Sequence, residues 1–89
     1  MSEKPKRKTD WAQLDLGDEA ILYTTTAEEI HLLNPTARVI WELCDGEHTL
    51  KDMAQALQSA FAVPEGTDLT ADVARVLQTF AAKGLLSPD

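Results

Sequence analysis

The sequence predicts a small α+β domain in which three short strands come before three helices. Residues 11–33 alternate between apolar and polar side chains over short runs, which is typical of half-buried strands. From residue 34 onward, apolar residues recur every three or four positions, which is the spacing of helices with one buried face. A chain of 89 residues forms one modest core and is too short for a deep active site with its own scaffold. The sequence therefore predicts a single domain and disfavours an enzyme.

Turn residues divide the first part of the chain into three strands. A strand over residues 11–16 ends at a turn that begins with Gly17. Residues 19–26 are rich in Ile, Tyr and Thr, which suit a pleated surface, and a second turn follows near Ala27. Residues 29–33 alternate again and form the third strand. Three short consecutive strands predict an antiparallel meander.

The first two helices are predicted by the residues at their ends. Asn34 is a favourable N-cap, and Pro35 suits the first helical position because its missing N–H costs no hydrogen bond there. Gly46 lies just past the helix end, where a left-handed conformation is common. Thr49 is predicted to cap the second helix, with Asp52 in the place of the Glu or Gln usual in a capping box. The apolar stripes consist of Ala37, Ile40, Trp41, Leu43 and Cys44 in the first helix and of Leu50, Met53, Leu57, Ala60 and Phe61 in the second.

A loop over residues 62–67, which contains Pro and Gly, separates the second helix from the third. Asp68 is predicted to cap the third helix and Gly84 to stop it. The apolar stripe of this helix consists of Leu69, Val73, Val76, Leu77 and Phe80. Leu85 and Leu86 are expected to return to the core or to the sheet edge. Three strands, followed by three helices with a tight turn between the first two, predict a winged helix-turn-helix-like domain.

Charge is distributed unevenly along the chain. The formal net charge is −7, but the first eight residues carry +3, so residues 9–89 carry −10. We predict a disordered basic tail over residues 1–10 and a folded domain over residues 11–89. A single cysteine, Cys44, excludes an internal disulfide and fits a reducing compartment. No apolar run approaches the ~20 residues that cross a bilayer, and no signal peptide is recognisable, so we predict a cytoplasmic protein without membrane contact.

The sequence offers few groups for catalysis or metal binding. The two histidines, His31 and His48, lie far apart, and neither has a neighbour at a spacing that would hold a metal. The four glycines are isolated from one another, so no phosphate-binding loop is present. We therefore predict no catalytic residue, no metal site and no cofactor.

Two kinds of binding remain open. A winged helix-turn-helix commonly binds DNA through the helix after the turn, here residues 50–61. The outward positions of that helix contain one basic residue, Lys51, within an acidic domain, and this composition disfavours contact with phosphates. The other possibility is an extended peptide that adds as a further strand to an exposed sheet edge. DNA binding stays the second hypothesis, and a structural subunit of a larger complex is the third.

Residues 11–86 as a whole resemble the PqqD-like family, the recognition elements of ribosomally synthesised and modified peptides. The resemblance is clearest over residues 28–61, which read EEIHLLNPTARVIWELCDGEHTLKDMAQALQSAF, and over residues 69–86, which read LTADVARVLQTFAAKGLL. Its most specific elements are Leu33-Asn34, Ile40-Trp41, Cys44-Asp45-Gly46 followed by Thr49, Asp72-Val73 and Gly84-Leu85.

The resemblance implies a non-catalytic peptide chaperone. Such an adaptor binds the leader of a precursor peptide and presents the peptide to a modifying enzyme, often a radical S-adenosylmethionine (SAM) maturase. In this family the leader lies as an added strand beside the third strand, against the third helix. Carried to this chain, the resemblance implies peptide contacts by Glu29, Ile30, His31, Leu32 and Leu33 of the strand and by Asp72, Arg75, Val76 and Thr79 of the helix. Val73, Leu77 and Phe80 are assigned to the core.

One departure from the family pattern concerns the peptide product. Members that serve the biosynthesis of pyrroloquinoline quinone (PQQ) usually carry a Pro-Glu-Gly turn between the second and third strands, where residues 24–29 of this chain read TTTAEE. The recognition role does not depend on that turn. We therefore expect a leader-binding adaptor whose precursor belongs to PQQ, a lasso peptide or another modified peptide.

Overall fold

A computed structural model describes residues 4–24, 29–64 and 66–87. Three strands are followed by three helices, which confirms the predicted α+β architecture. The elements are β1 (Ala12–Leu16), β2 (Glu19–Thr24), β3 (Glu29–Leu33), α1 (Pro35–Glu42), α2 (Leu50–Ala60) and α3 (Thr70–Ala82). The turn predicted near Ala27 and the last two residues of the predicted second strand lie outside the described residues. None of the helices described combines the length and the apolar character that crossing a membrane requires.

The sheet is an antiparallel meander in the order β1-β2-β3. Gly17 has a φ of 68°, a left-handed conformation that costs glycine little, and so permits the tight turn between β1 and β2. In the β2–β3 register, Ala20 pairs with Leu33 and Leu22 pairs with His31. Ala20, Leu22 and Leu33 are buried, so this face of the sheet is the inner one.

The predicted caps of α1 and α2 are confirmed. Asn34 Oδ1 accepts a hydrogen bond from the Ala37 N–H at 2.8 Å, and Pro35 occupies the first turn of α1. At α2 the Thr49 hydroxyl accepts from the Asp52 N–H at 3.2 Å, while an Asp52 carboxylate oxygen accepts from the Thr49 N–H at 2.9 Å. In each helix, an N–H group of the first turn that lacks an intrahelical partner therefore donates to a side chain within three residues.

The start of α3 differs from the prediction by one residue. Leu69, not Asp68, occupies the N-cap position, and it makes no side-chain cap hydrogen bond. The Asp68 carboxylate accepts a hydrogen bond from the Thr70 N–H at 3.0 Å. Asp68 thus satisfies one free N–H of the first turn from the position before the N-cap.

The core lies between the inner sheet face and the three helices. Helix α1 is central because it packs against β2, β3, α2 and α3. Trp41 of α1 and Phe80 of α3 pack edge to face, with ring centroids 5.7 Å apart and planes at 89°. The predicted return of Leu85 and Leu86 to the core is confirmed, since both are buried. The predicted stripe of α2 is wrong at Ala60 and Phe61, which are exposed because the helix ends at residue 60.

Residues 4–8 pack on the domain rather than forming part of the disordered tail that the sequence predicts over residues 1–10. The Arg7 N–H donates to the Cys44 carbonyl at 2.8 Å. Further backbone hydrogen bonds join this N-terminal segment to the residues that follow α1 and α3. The basic composition of this segment predicted a solvated, disordered tail. Backbone hydrogen bonds to residues distant in the chain hold the segment on the domain instead.

The Arg7 side chain strengthens that attachment at the end of α1. Its Nη1 atom lies 3.1 to 3.3 Å from the carbonyl oxygens of Trp41, Glu42 and Cys44. Carbonyl groups in the last turn of a helix lack intrahelical partners, and the helix dipole is negative there. A guanidinium group supplies both hydrogen-bond donors and positive charge, so Arg7 stabilises the C-terminal end of α1.

Candidate functional site

Strand β3 forms one edge of the sheet in the part of the chain that the structure describes. On such a strand, alternate backbone N–H and C=O groups point away from the neighbouring strand. The strand residues predicted to contact a peptide, Glu29, Ile30, His31, Leu32 and Leu33, make up the whole of β3. This edge offers a backbone ladder to an extended chain.

The side chains of β3 are divided between the two sheet faces. On the inner face Leu33 is buried and His31 is half-buried, whereas Ile30 and Leu32 on the other face are exposed. The His31 ring packs on Trp11, with ring centroids 5.1 Å apart. His31 Nε2 is buried and has no hydrogen-bond partner among the described residues. An unused hydrogen-bonding atom therefore lies at the predicted edge. Trp11 was not predicted as a neighbour of this site, because two strands separate it from His31 in the chain.

Helix α3 places a polar side next to its buried stripe. The stripe is buried as predicted at Val73, Leu77 and Phe80. Val76 is half-buried and packs against the core, while Asp72, Arg75 and Thr79 are exposed. Arg75 Nη1 lies 3.3 Å from Asp72 Oδ1, and the Thr79 hydroxyl donates to the Arg75 carbonyl at 3.1 Å. Because residues three and four positions apart share one side of a helix, the four predicted residues form one continuous surface at the margin of the core.

Strand β3 and helix α3 both pack against α1. Among the described residues, no Cα atom of β3 lies within 8 Å of a Cα atom of α3. Neighbouring strands lie about 4.8 Å apart, so the backbone separation exceeds one strand spacing. The backbones of the predicted strand residues and the predicted helix residues are therefore not adjacent.

A pocket of about 290 Å³ lies where the Glu29 end of β3 approaches the C-terminal end of α3. It is lined by Lys8, Asp10, Trp11, Thr24, Glu29, Lys83 and Gly84. Two ammonium groups, two carboxylates and an indole ring surround it, so it suits a side chain that has an apolar body and a polar end. Only Glu29 of this lining was predicted from the sequence, because most of the other residues come from the segments 8–11 and 83–84, which are distant from Glu29 in the chain.

Burial and hydrogen bonding set the protonation of Cys44 and His48. Cys44 is buried, and burial raises the pKa of its thiol to about 12, which leaves little reactive thiolate at neutral pH. His48 Nδ1 lies 2.9 Å from Asp45 Oδ1, and this hydrogen bond raises the pKa of His48 and lowers the pKa of Asp45. Within residues 4–24, 29–64 and 66–87, no group of three His, Cys, Asp or Glu side chains could hold a metal ion.

The helix that a DNA-binding protein of this shape would use is poor in positive charge. Lys51, Asp52, Gln55 and Ser59 are exposed on α2, which provides one cation and one anion. Hydrogen bonds from Thr49 lower the pKa of Asp52, so its carboxylate is charged at neutral pH. Binding to phosphates depends on several Lys or Arg side chains on one surface, and α2 does not offer them.

The model of the family described as Coenzyme PQQ synthesis protein D (PqqD) matches residues 19–86. The match begins at the first residue of β2 and extends past the end of α3, so it spans most of the chain. A search of curated proteins gives no match.

Two solved structures share the fold over nearly their whole length. One is TbiB1 in complex with the TbiA(beta) leader peptide, at 20% identity and a TM-score of 0.77, where 94% of this chain covers 96% of the other. Another is lasso peptide synthetase B1 complexed with the leader peptide, at 24% identity and a TM-score of 0.78, where 96% of this chain covers 99% of the other. At these identities the comparison establishes a common fold.

Proposed function

This chain belongs to the family of coenzyme PQQ synthesis protein D, and on that premise we propose that it is a peptide-binding adaptor. It binds the leader of a ribosomally synthesised precursor peptide and presents the rest of the peptide to a modifying enzyme. The observation that carries the proposal is the edge strand β3, which is separated from α3 by more than one strand spacing. Two proteins of the same fold are known with leader peptides bound, which supports this occupant.

The leader binds as a fourth strand beside β3. Backbone groups of residues 29–33 form the ladder, and Asp72, Arg75, Val76 and Thr79 of α3 contact side chains on the other side of the peptide. Val76 offers the apolar contact, because it is half-buried at the margin of the core. Asp72 and Arg75 offer charges of both signs, and their mutual ion pair is exposed and so weak enough to be replaced.

Backbone pairing alone does not account for the affinity such an adaptor requires. A free leader is disordered, and ordering it costs about 2–5 kcal/mol. Each backbone hydrogen bond contributes about 1 kcal/mol after exchange with water, so a ladder along five residues roughly offsets that cost. Specificity and net affinity therefore come from side-chain contacts with α3 and with the pocket beside Glu29 and Trp11.

The chain itself supplies no catalytic group in this proposal. The modifying enzyme is a separate protein, such as a radical SAM maturase, and both proteins act in the cytoplasm. The identity of the product, whether PQQ, a lasso peptide or another modified peptide, is set by the precursor and the enzyme. Neither DNA binding nor a purely structural role is favoured by a specific feature of α2 or of the sheet.

Strand addition is tested by a leader peptide that is N-methylated at one residue at a time. An N-methyl group removes one backbone donor, and alternate residues of an added strand donate to β3. Binding measured by fluorescence anisotropy should therefore weaken at every second position within the bound segment and persist at the intervening ones. The peptide is the leader encoded beside the gene for this chain, and its unmethylated form is the control. Loss of affinity without a two-residue period, or no binding of the control, would refute the proposal.

A further inference from the structure

The sheet carries an apolar surface on the side opposite to the helices. Of the six large hydrophobic side chains exposed in the described residues, five lie on this side, with 41 to 72% of their surface accessible. The cross-strand pairs Leu14–Ile21, Ile21–Leu32 and Tyr23–Ile30 show that the three strands share this face. We name it the outer sheet face, and it consists of Leu14, Leu16, Ile21, Tyr23, Ile30 and Leu32.

This composition is unusual for an antiparallel sheet with one covered face. Such a sheet normally alternates apolar residues toward the core with polar residues toward water. Here the inner positions Ala20, Leu22 and Leu33 are buried, and most outer positions are apolar as well. The exception is Glu19, which pairs with Leu16 on the outer face. Contiguous apolar patches of several hundred square ångströms on a small protein mark binding surfaces.

The part of the chain that forms the sheet is acidic. Between residues 9 and 37 the chain has six Asp or Glu residues and no Lys or Arg. Five of these carboxylates belong to described residues, and all five are exposed: Asp10, Asp15, Asp18, Glu19 and Glu29. Glu19 stands on the outer sheet face, because it pairs with Leu16, and Asp18 lies in the adjoining turn. Asp15 instead lies on the helix side, 3.4 Å from Arg38.

We propose that the outer sheet face is the docking surface for the modifying enzyme, which contacts it through an apolar patch ringed by Lys and Arg side chains. This inference rests on the proposed function. A second copy of this chain is disfavoured as the occupant, because face-to-face pairing would bring two acidic sheets together. The same acidic charge repels nucleic acid and anionic lipid.

The outer sheet face includes side chains of β3, the strand that is proposed to bind the leader. A leader added beside β3 extends the sheet, so alternate leader side chains stand on the same face as Ile30 and Leu32. An enzyme docked on the outer sheet face therefore contacts the adaptor and the bound leader together. Docking on this side also leaves the α3 side of the leader undisturbed.

The test uses Leu14, because β1 is exposed along its whole length and β2 separates it from β3. Leu14→Lys removes an apolar contact and adds a charge that a basic rim repels, whereas Leu14→Glu removes only the contact. Phe61→Lys is the matched control, since Phe61 is exposed to a similar degree but lies at the end of α2. The binding partner is the peptide-modifying enzyme encoded beside the gene for this chain, measured by surface plasmon resonance.

We expect Leu14→Lys to weaken enzyme binding about tenfold or more, Leu14→Glu to weaken it less, and Phe61→Lys to leave it unchanged. All three variants should bind the leader as the parent does, because none lies in β3 or α3. Equal enzyme affinity of Leu14→Lys and Phe61→Lys would overturn the inference. A parent dimer that Leu14→Lys dissociates without changing enzyme affinity would also overturn it, and would identify a second copy as the occupant. A parent that binds the enzyme but no leader would refute the proposed function and leave the comparison of variants valid.

Discussion

Replacement of Arg7 by alanine should destabilise the fold, although Arg7 belongs to a segment whose composition predicts disorder. The Nη1 atom carries two N–H donors and lies 3.1 to 3.3 Å from three carbonyl oxygens at the end of α1, so two hydrogen bonds form at a time. Hydrogen bonds from a charged group contribute about 1.5–3 kcal/mol each when buried, and those of Arg7 are partly exposed. We therefore expect a total loss of about 2 kcal/mol in the free energy of unfolding, including the interaction with the helix dipole.

That loss is large enough to measure in a chain of this length. For a domain of 60–100 residues, 1 kcal/mol corresponds to about 4–8 °C in Tm, so Arg7→Ala should lower Tm by roughly 8–16 °C. Thermal and urea unfolding followed by far-ultraviolet circular dichroism measure the change. Lys6→Ala is the control, because Lys6 is exposed in the same segment and its backbone pairing does not depend on its side chain. A Tm for Arg7→Ala equal to that of Lys6→Ala would refute this account of the segment.

Two further changes test the helix surface and the turn after α1. Val76→Asp should weaken leader binding about tenfold, measured by calorimetry, and circular dichroism should show an unchanged helix content. The control is Val63→Asp, at a half-buried valine in the loop after α2, which should leave leader binding unchanged. Unfolding of the Val76 variant would assign Val76 to the core instead. The hydrogen bond between His48 and Asp45 raises the pKa of His48, so its stabilising effect is complete below the ordinary histidine pKa of about 6.5 and is lost as the pH rises through the raised value. The Asp45 pKa is lowered, so the effect also requires a pH above the ordinary aspartate value of about 3.9. His48→Ala should therefore reduce stability to urea more near pH 5.5 than near pH 8.5, and an equal reduction at both would contradict this assignment.

The parts of the fold that could be predicted from sequence depend on neighbours in the chain. The cap of α1 joins Asn34 to Ala37, and the capping box of α2 joins Thr49 to Asp52, so each signal lies within three residues. The buried stripe of α3 follows from a regular period. Such local rules need no knowledge of the tertiary structure.

The parts that were missed depend on contacts across the chain. Arg7 meets Trp41 at a separation of 34 residues, and no local pattern indicates that pairing. Trp11 contacts His31 only because the meander places the start of β1 near β3. The predicted strand and helix of the site were correct as elements. Their separation could not be predicted, because both pack against α1 and that arrangement depends on the tertiary structure. The pocket at Glu29 could not be predicted for the same reason.

The central claim, that the leader binds between β3 and α3, is tested most directly by amide chemical-shift mapping with the leader of the neighbouring precursor peptide. The account predicts that the largest shifts fall in residues 29–33 and in residues 72–79 of α3. Amides of α2 and of β1 should change little, because neither element faces the added strand. Shifts confined to residues outside β3 and α3 would contradict the account.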